Sequence, residues 1–150
     1  MASEGSLAVC IDEALGRKLA PILRELRAPG APAIEDTREL GLSGCSDEVL
    51  MAELRKRGFT IMVTKDSRIL NAALRRAAWQ ASGLSLFILD GKWGNFRLFE
   101  QARRLIWWWP SVVEQAVAGP AGGAWRIAPD LQPSGMQQLF LPPAEPQSLS

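Results

Sequence analysis

Phe59-Thr60-Ile61-Met62-Val63 is a run of apolar and β-branched residues that breaks off at Thr64-Lys65-Asp66. A strand apolar at successive positions is buried on both faces, so the sheet that contains it needs cover on both sides. A helical stripe follows, with Ile69, Leu70, Ala73, Leu74 and Ala77 on one face. An acid where a parallel strand gives way to a helix stands at the carboxyl edge of the sheet. Open α/β folds bind their ligands at that edge.

The same step recurs along the chain. Leu7 to Ile11 reads as a first strand closed by Asp12-Glu13, and Leu84 to Leu89 as another that stops at Asp90-Gly91. Between them, Leu15, Leu19, Ile22, Leu23 and Leu26 fall at helical spacing, with Pro21 marking either a kink or the true first turn. Pro32 to Glu35 is a weak second strand, and Asp36 to Gly44 a loop. A helix opens at Ser46-Asp47-Glu48, with Ser46 or Asp47 as its cap, and closes on Arg55-Lys56-Arg57-Gly58. The last long helix begins after Gly94-Asn95 and ends at Trp107-Trp108-Trp109-Pro110, and Ser111 to Ala116 makes a further short helix. The alternation βαβαβαβα predicts a small α/β sandwich with a mainly parallel sheet. Residues 1–118 form its domain. Residues 119–150 read as a Gly/Pro-rich extension with small strands at Ala124 to Ile127 and Gln137 to Leu141, disordered from Pro142.

Composition narrows the chemistry. The 150 residues include no histidine and two cysteines. A Ser-His or Cys-His nucleophile pair, a His-ligated zinc and an all-thiolate zinc site are therefore excluded. Carboxylates remain, and they select hard cations such as magnesium or manganese. Net charge is +1, too little for indiscriminate binding of nucleic acid, yet basic residues gather at Arg55-Lys56-Arg57, Arg75-Arg76 and Arg103-Arg104. No apolar run nears the roughly 20 residues of a membrane span, and no leader is evident, so a cytoplasmic location is expected. Cys10, on a buried strand, is expected as a small core residue. Of Trp107, Trp108 and Trp109, at least one must leave the core side of its helix, where it can serve a protein interface.

Asp12, Asp66 and Asp90 thus end three strands, and Asp47, with Glu48 beside it, enters from the first turn of a helix. Acids are common at strand ends and as caps, and it is their coincidence on one edge that points to chemistry. Gathered carboxylates repel one another. A divalent cation relieves that repulsion, activates a water and steadies charge on a phosphate. Lys65 and Arg68 are the nearby phosphate partners.

Ile11-Asp12-Glu13-Ala14-Leu15, then Ser46-Asp47-Glu48, then Thr64-Lys65-Asp66-Ser67-Arg68-Ile69 resembles the PIN-like nucleases, and most the compact toxin branch of the VapC type. The likeness covers about residues 7–115. It departs at Ser67, where a further basic residue is frequent. The resemblance implies a three-layer α/β/α fold and a magnesium- or manganese-dependent ribonuclease, the toxin of a toxin–antitoxin pair. Its partners would be RNA, an antitoxin protein and a second copy in a homodimer. By motif, Asp12, Asp47 and Asp66 would be the metal-binding, catalytic acids, with Glu13 and Glu48 as adjacent alternates to the first two. Asp90 joins them as a fourth ligand by strand-end position alone. The alternative is a PIN-like module with an incomplete site that binds or regulates. A receiver-like phospho-acceptor also uses a Thr-x-Asp step, but no Asp-Asp pair follows the first strand here.

Overall fold

Short apolar runs set the centre of the protein. The computed structural model describes residues 7–30, 33–131 and 136–142. Strands β1 (Ala8–Ile11), β2 (Ala33–Asp36), β3 (Ile61–Thr64), β4 (Ser85–Ile88), β5 (Ala124–Ile127) and β6 (Met136–Phe140) form one sheet in the order β2-β1-β3-β4-β5-β6. The first five run parallel, and β6 is antiparallel to β5. Every residue of β3 and of β4 is buried, as a strand covered on both faces requires.

Helices α1 (Leu19–Glu25), α2 (Asp47–Lys56), α3 (Ala73–Ser82) and α4 (Leu98–Ala118) supply the cover. Strand side chains alternate between the faces, so two cores form. On one side Val9, Ile11, Val63 and Phe87 meet Leu19 and Leu23 of α1 and Leu105, Trp109 and Val112 of α4. On the other, Cys10, Met62, Leu86 and Ile88 meet Leu50, Met51 and Leu54 of α2 and Trp79 of α3. The architecture is the three-layer α/β/α sandwich. Among the described residues no helix is long and apolar enough to cross a membrane.

Several boundaries differ from the sequence reading. Pro21 is the third residue of α1, so it belongs to the first turn, where its missing N–H costs nothing. The stripe from Ile69 divides: Ser67–Leu70 is a 3-10 helix and α3 begins at Ala73. Helix α4 does not stop at Pro110 but runs on for two more turns to Ala118. The proline removes one bond, to the carbonyl of Ile106, and both residues lie on the exposed side, where water serves that carbonyl. Trp108 and Trp109 pack inward while Trp107 is 44% exposed. Within residues 119–150, read as an extension, β5 and β6 join the main sheet, because Ala124 is buried in one core and Trp125 and Ile127 in the other. The stretch expected to be disordered lies, apart from Pro142, outside the described residues.

Arg24 holds the edge of the sheet. Its guanidinium donates to the Ile34 carbonyl at 2.9 Å and, through both terminal nitrogens, to Glu39 at 2.8 and 2.7 Å. That bond keeps the Glu39 carboxyl below its ordinary range. A depressed carboxyl contributes stability that is complete above the unfolded pKa of about 4.3 and fades as pH falls through the folded value. Acid titration of the Tm should therefore show a loss in the native protein below about pH 4.3 that is reduced in Arg24→Ala. Pro110→Ala should restore a helical hydrogen bond and raise the unfolding free energy by about 1–3 kcal/mol in urea titration. A lowered midpoint would mean that the proline ring itself packs the helix.

Candidate active site

The topological switch of this sheet lies between β1 and β3, whose following connections lead to opposite sides. Register puts their carboxyl ends level: Ile11 pairs with Val63, and the Asp12 N–H donates to the Val63 carbonyl at 2.9 Å. Beside them the Leu89 N–H donates to the Thr64 carbonyl at 2.8 Å, which sets the end of β4. Asp12, Asp66 and Asp90 accordingly stand along one edge. Ser46 caps α2 by accepting from the Val49 N–H at 3.3 Å. Asp47 is thereby released from capping and is free to pair elsewhere.

Thr64 joins the two strand-end acids. Its hydroxyl donates to Asp12 Oδ2 at 2.6 Å and accepts from the Asp66 N–H at 3.1 Å, and the residue is fully buried. The Ala14 N–H reaches Asp12 Oδ1 at 3.4 Å. Asp66 also caps the 3-10 helix, accepting from the Arg68 N–H at 3.0 Å. Its two oxygens take Arg68 Nε and a terminal nitrogen at 2.9 and 3.0 Å, and this guanidinium holds the Asp66 carboxyl below its usual range. Asp47 pairs with Arg75 of α3, Nε to Oδ2 at 3.2 Å. Its carboxyl is nonetheless pushed up. Burial is the main cause and Arg75 opposes it, while the charges of Asp66, Asp12 and Glu48 add to the rise. Asp47 therefore feels both strand-end acids.

The paired acids separate cleanly. Glu13 turns away to the loop, accepting from the Ser43 hydroxyl and, at 3.2 Å, from the Gly44 N–H, with Arg38 at 3.7 Å. Glu48 is exposed. Of each pair, Asp12 is the member bonded to Thr64 and Asp47 the member paired with Arg75. Asp90 is met by Arg126 of β5, whose Nε lies 3.0 and 3.2 Å from its two oxygens. A fourth-ligand role has thus to compete with a guanidinium. Asp66 and Asp90, with Lys65, Arg68, Ala14, Leu89, Gly91 and Gly94, line a cleft of about 350 Å³. Buried Gln101 of α4 ties the loop after β1 to the turn after β4. That amide accepts from the Gly16 N–H and donates to the Trp93 carbonyl, each at 3.2 Å. A Cβ on Gly16 would fall 2.8 Å from Leu98, which is why α4 approaches there only against a glycine.

A family model for the PIN-like domain matches residues 8–91. The match starts with β1, ends just after Asp90 and covers more than half of the chain. The chain belongs to the PIN-like domain family. No curated protein and no solved structure matches it. The PIN-like domain is a nuclease-type fold, and its nucleases generally use divalent metals. The donor chemistry here fits such an ion, since Asp12, Asp47 and Asp66 offer hard oxygens from three segments. Their side-chain positions do not form a ready shell. Among the described residues no group of three or more His, Cys, Asp or Glu side chains is arranged to hold a metal ion, and guanidiniums sit on Asp66 and Asp47.

Arg75 entered the sequence reading only within the basic pair Arg75-Arg76, and Thr64 only as a polar step. Gln101 and Arg126 gave no signal, since they act from α4 and β5 through tertiary packing. Thr64→Val, which keeps shape and removes the hydroxyl, should leave the Asp66 N–H unpaired and free Asp12 to rotate. A loss of about 1–3 kcal/mol in denaturant titration is expected, and an unchanged midpoint would show that the bridge carries no stability.

Proposed function

We propose that this chain is a divalent-metal-dependent endoribonuclease that hydrolyses RNA phosphodiesters through Asp12, Asp47 and Asp66, and that it is the toxin of a toxin–antitoxin pair. The observation that carries the reading is the Thr64 bridge from the Asp12 carboxylate to the Asp66 N–H at the switch point of a PIN-like sheet. Magnesium or manganese, when bound, supplies Lewis-acid charge to the phosphate and makes the attacking water more acidic. Thr64 orients the Asp12 carboxylate, Asp66 completes the oxygen set, and Asp47 positions the water. Lys65 and Arg68 on the cleft wall hold backbone phosphates on either side of the bond that breaks. The start, helix and strand-end motifs around these three acids support the toxin branch. Exposed Phe99, Ile106 and Trp107 on α4 support a protein partner, an antitoxin or a second copy, on that face. A cytoplasmic location belongs to the same reading.

Asp66→Asn tests it. The variant should keep its melting profile and lose at least about a hundredfold in manganese-dependent cleavage of single-stranded RNA. Full activity would sink the assignment. A second reading is a PIN-like binding or regulatory module. The absence of a ready three-acid group among the described residues favours it, and metal-independent RNA binding without cleavage would establish it.

A further inference from the structure

One buried side chain joins two segments that line the cleft. Ala14 lines it from the loop after β1, and Asp90, Gly91 and Gly94 line it from the turn after β4. Lys65 and Arg68 add the cations from the end of β3, the strand between those two. Gly16 lies two residues beyond Ala14, and Trp93 lies between Gly91 and Gly94. Gln101 Oε1 accepts from the Gly16 N–H and its Nε2 donates to the Trp93 carbonyl, each at 3.2 Å. A carboxamide accepts and donates at one end without carrying charge. Gln101 is only 7% exposed, so water is no ready substitute for either bond.

The two segments are anchored differently. Trp93 is fully buried and its indole donates to the Ile127 carbonyl at 2.7 Å, which fixes the turn after β4 to β5. The loop after β1 is fixed at its start. There the Asp12 N–H donates to the Val63 carbonyl at 2.9 Å, the Glu13 N–H to the Thr37 hydroxyl at 3.1 Å, and Leu15 is buried. At Gly16 the polar hold from outside the loop is Gln101, and α4 packs so close that a Cβ there would lie 2.8 Å from Leu98. Gln101 thus carries the fixed position of Trp93 across to Gly16. We propose that Gln101 is a positioning residue that sets the spacing between the Ala14 side and the Gly91 and Gly94 side of the cleft, and with it the grip of the cleft on an RNA phosphate backbone. The proposal rests on the nuclease reading above. Asp12 is held separately by Thr64 and Val63, so loss of the tie acts on binding and spares the chemical step.

Amide hydrogen exchange on the unliganded protein and RNA binding test it, on wild type, Gln101→Met and Gln101→Asn. Methionine keeps the length and removes both bonds. Asparagine keeps the chemistry but is one methylene too short to reach both partners. Neither changes charge, so the attraction of the cleft for phosphate is otherwise unaltered. Exchange at Gly16 should quicken by about tenfold or more in Gln101→Met, while β1 and β3 keep their protection. Affinity for a short single-stranded RNA made uncleavable by 2′-O-methyl groups should fall by about tenfold, the order of one hydrogen bond, and by less in Gln101→Asn. The same factor should appear in KM for manganese-dependent cleavage, with kcat held within about twofold. If Gln101→Met loses its melting transition, the fall in RNA affinity of Gln101→Asn decides. Unchanged exchange at Gly16 would overturn the tie. Faster exchange with unchanged RNA affinity, or a fall in kcat at constant KM, would overturn the positioning role. A wild type that binds RNA without cleaving it would sink the nuclease reading alone, since exchange and affinity still decide the role of Gln101. A wild type that binds no RNA would overturn both.

Discussion

The hydrogen bond from the Thr64 hydroxyl to Asp12 is the joint on which the candidate site depends. It exists because β1 and β3 pair in parallel with their ends level, so that Asp12 emerges beside Thr64 and not a residue above or below. A slip of one residue would turn Thr64 to the opposite face and send the apolar set of β3 with it. Burial of Ile61, Met62 and Val63 in two cores forbids that slip. The precision of a polar contact at the sheet edge is therefore supplied by apolar packing beneath it.

Charge balance shapes what surrounds that joint. Asp12 is satisfied by neutral donors, the Thr64 hydroxyl and the Ala14 N–H, whereas Asp66, Asp47 and Asp90 each hold an arginine from a different element. Arg68 follows its acid by two residues, Arg75 crosses from α3 to α2, and Arg126 crosses from β5 to the end of β4. Partly buried carboxylates gathered at one edge need counter-charge, whether a metal or an arginine. The guanidiniums that steady the fold carry the charge and fork geometry that suit carboxylates and phosphates alike.

The part of the chain beyond the family match completes this arrangement. Helix α4 covers one face of the sheet, and its Gln101 links the loop after β1 to the turn after β4. Strand β5 brings both Arg126 and the Ile127 carbonyl that accepts from the Trp93 indole at 2.7 Å. The loops that carry Asp12 and Asp90 are thus braced from segments far along the sequence.

The order of strands and helices, the two-faced burial of β3 and β4, and the strand-end position of Asp12, Asp66 and Asp90 were legible in the sequence, because burial imposes a period and chain order is local information. The helical continuity of α4 was hidden, since a proline breaks only one bond and the exposure of that bond is a tertiary fact. The small strands β5 and β6 were legible as strands, but their place in the main sheet was not, since β5 is held there by cores on both faces. Which of Asp12 and Glu13, or of Asp47 and Glu48, turns inward was undetermined, for neighbours of the same chemistry are separated only by where Ser43, Arg75 and Thr64 arrive. By itself the sequence determined the fold class and the edge where chemistry can occur. Only the tertiary structure decided which charges meet there, because counter-ions are chosen by distance in space and not by spacing along the chain.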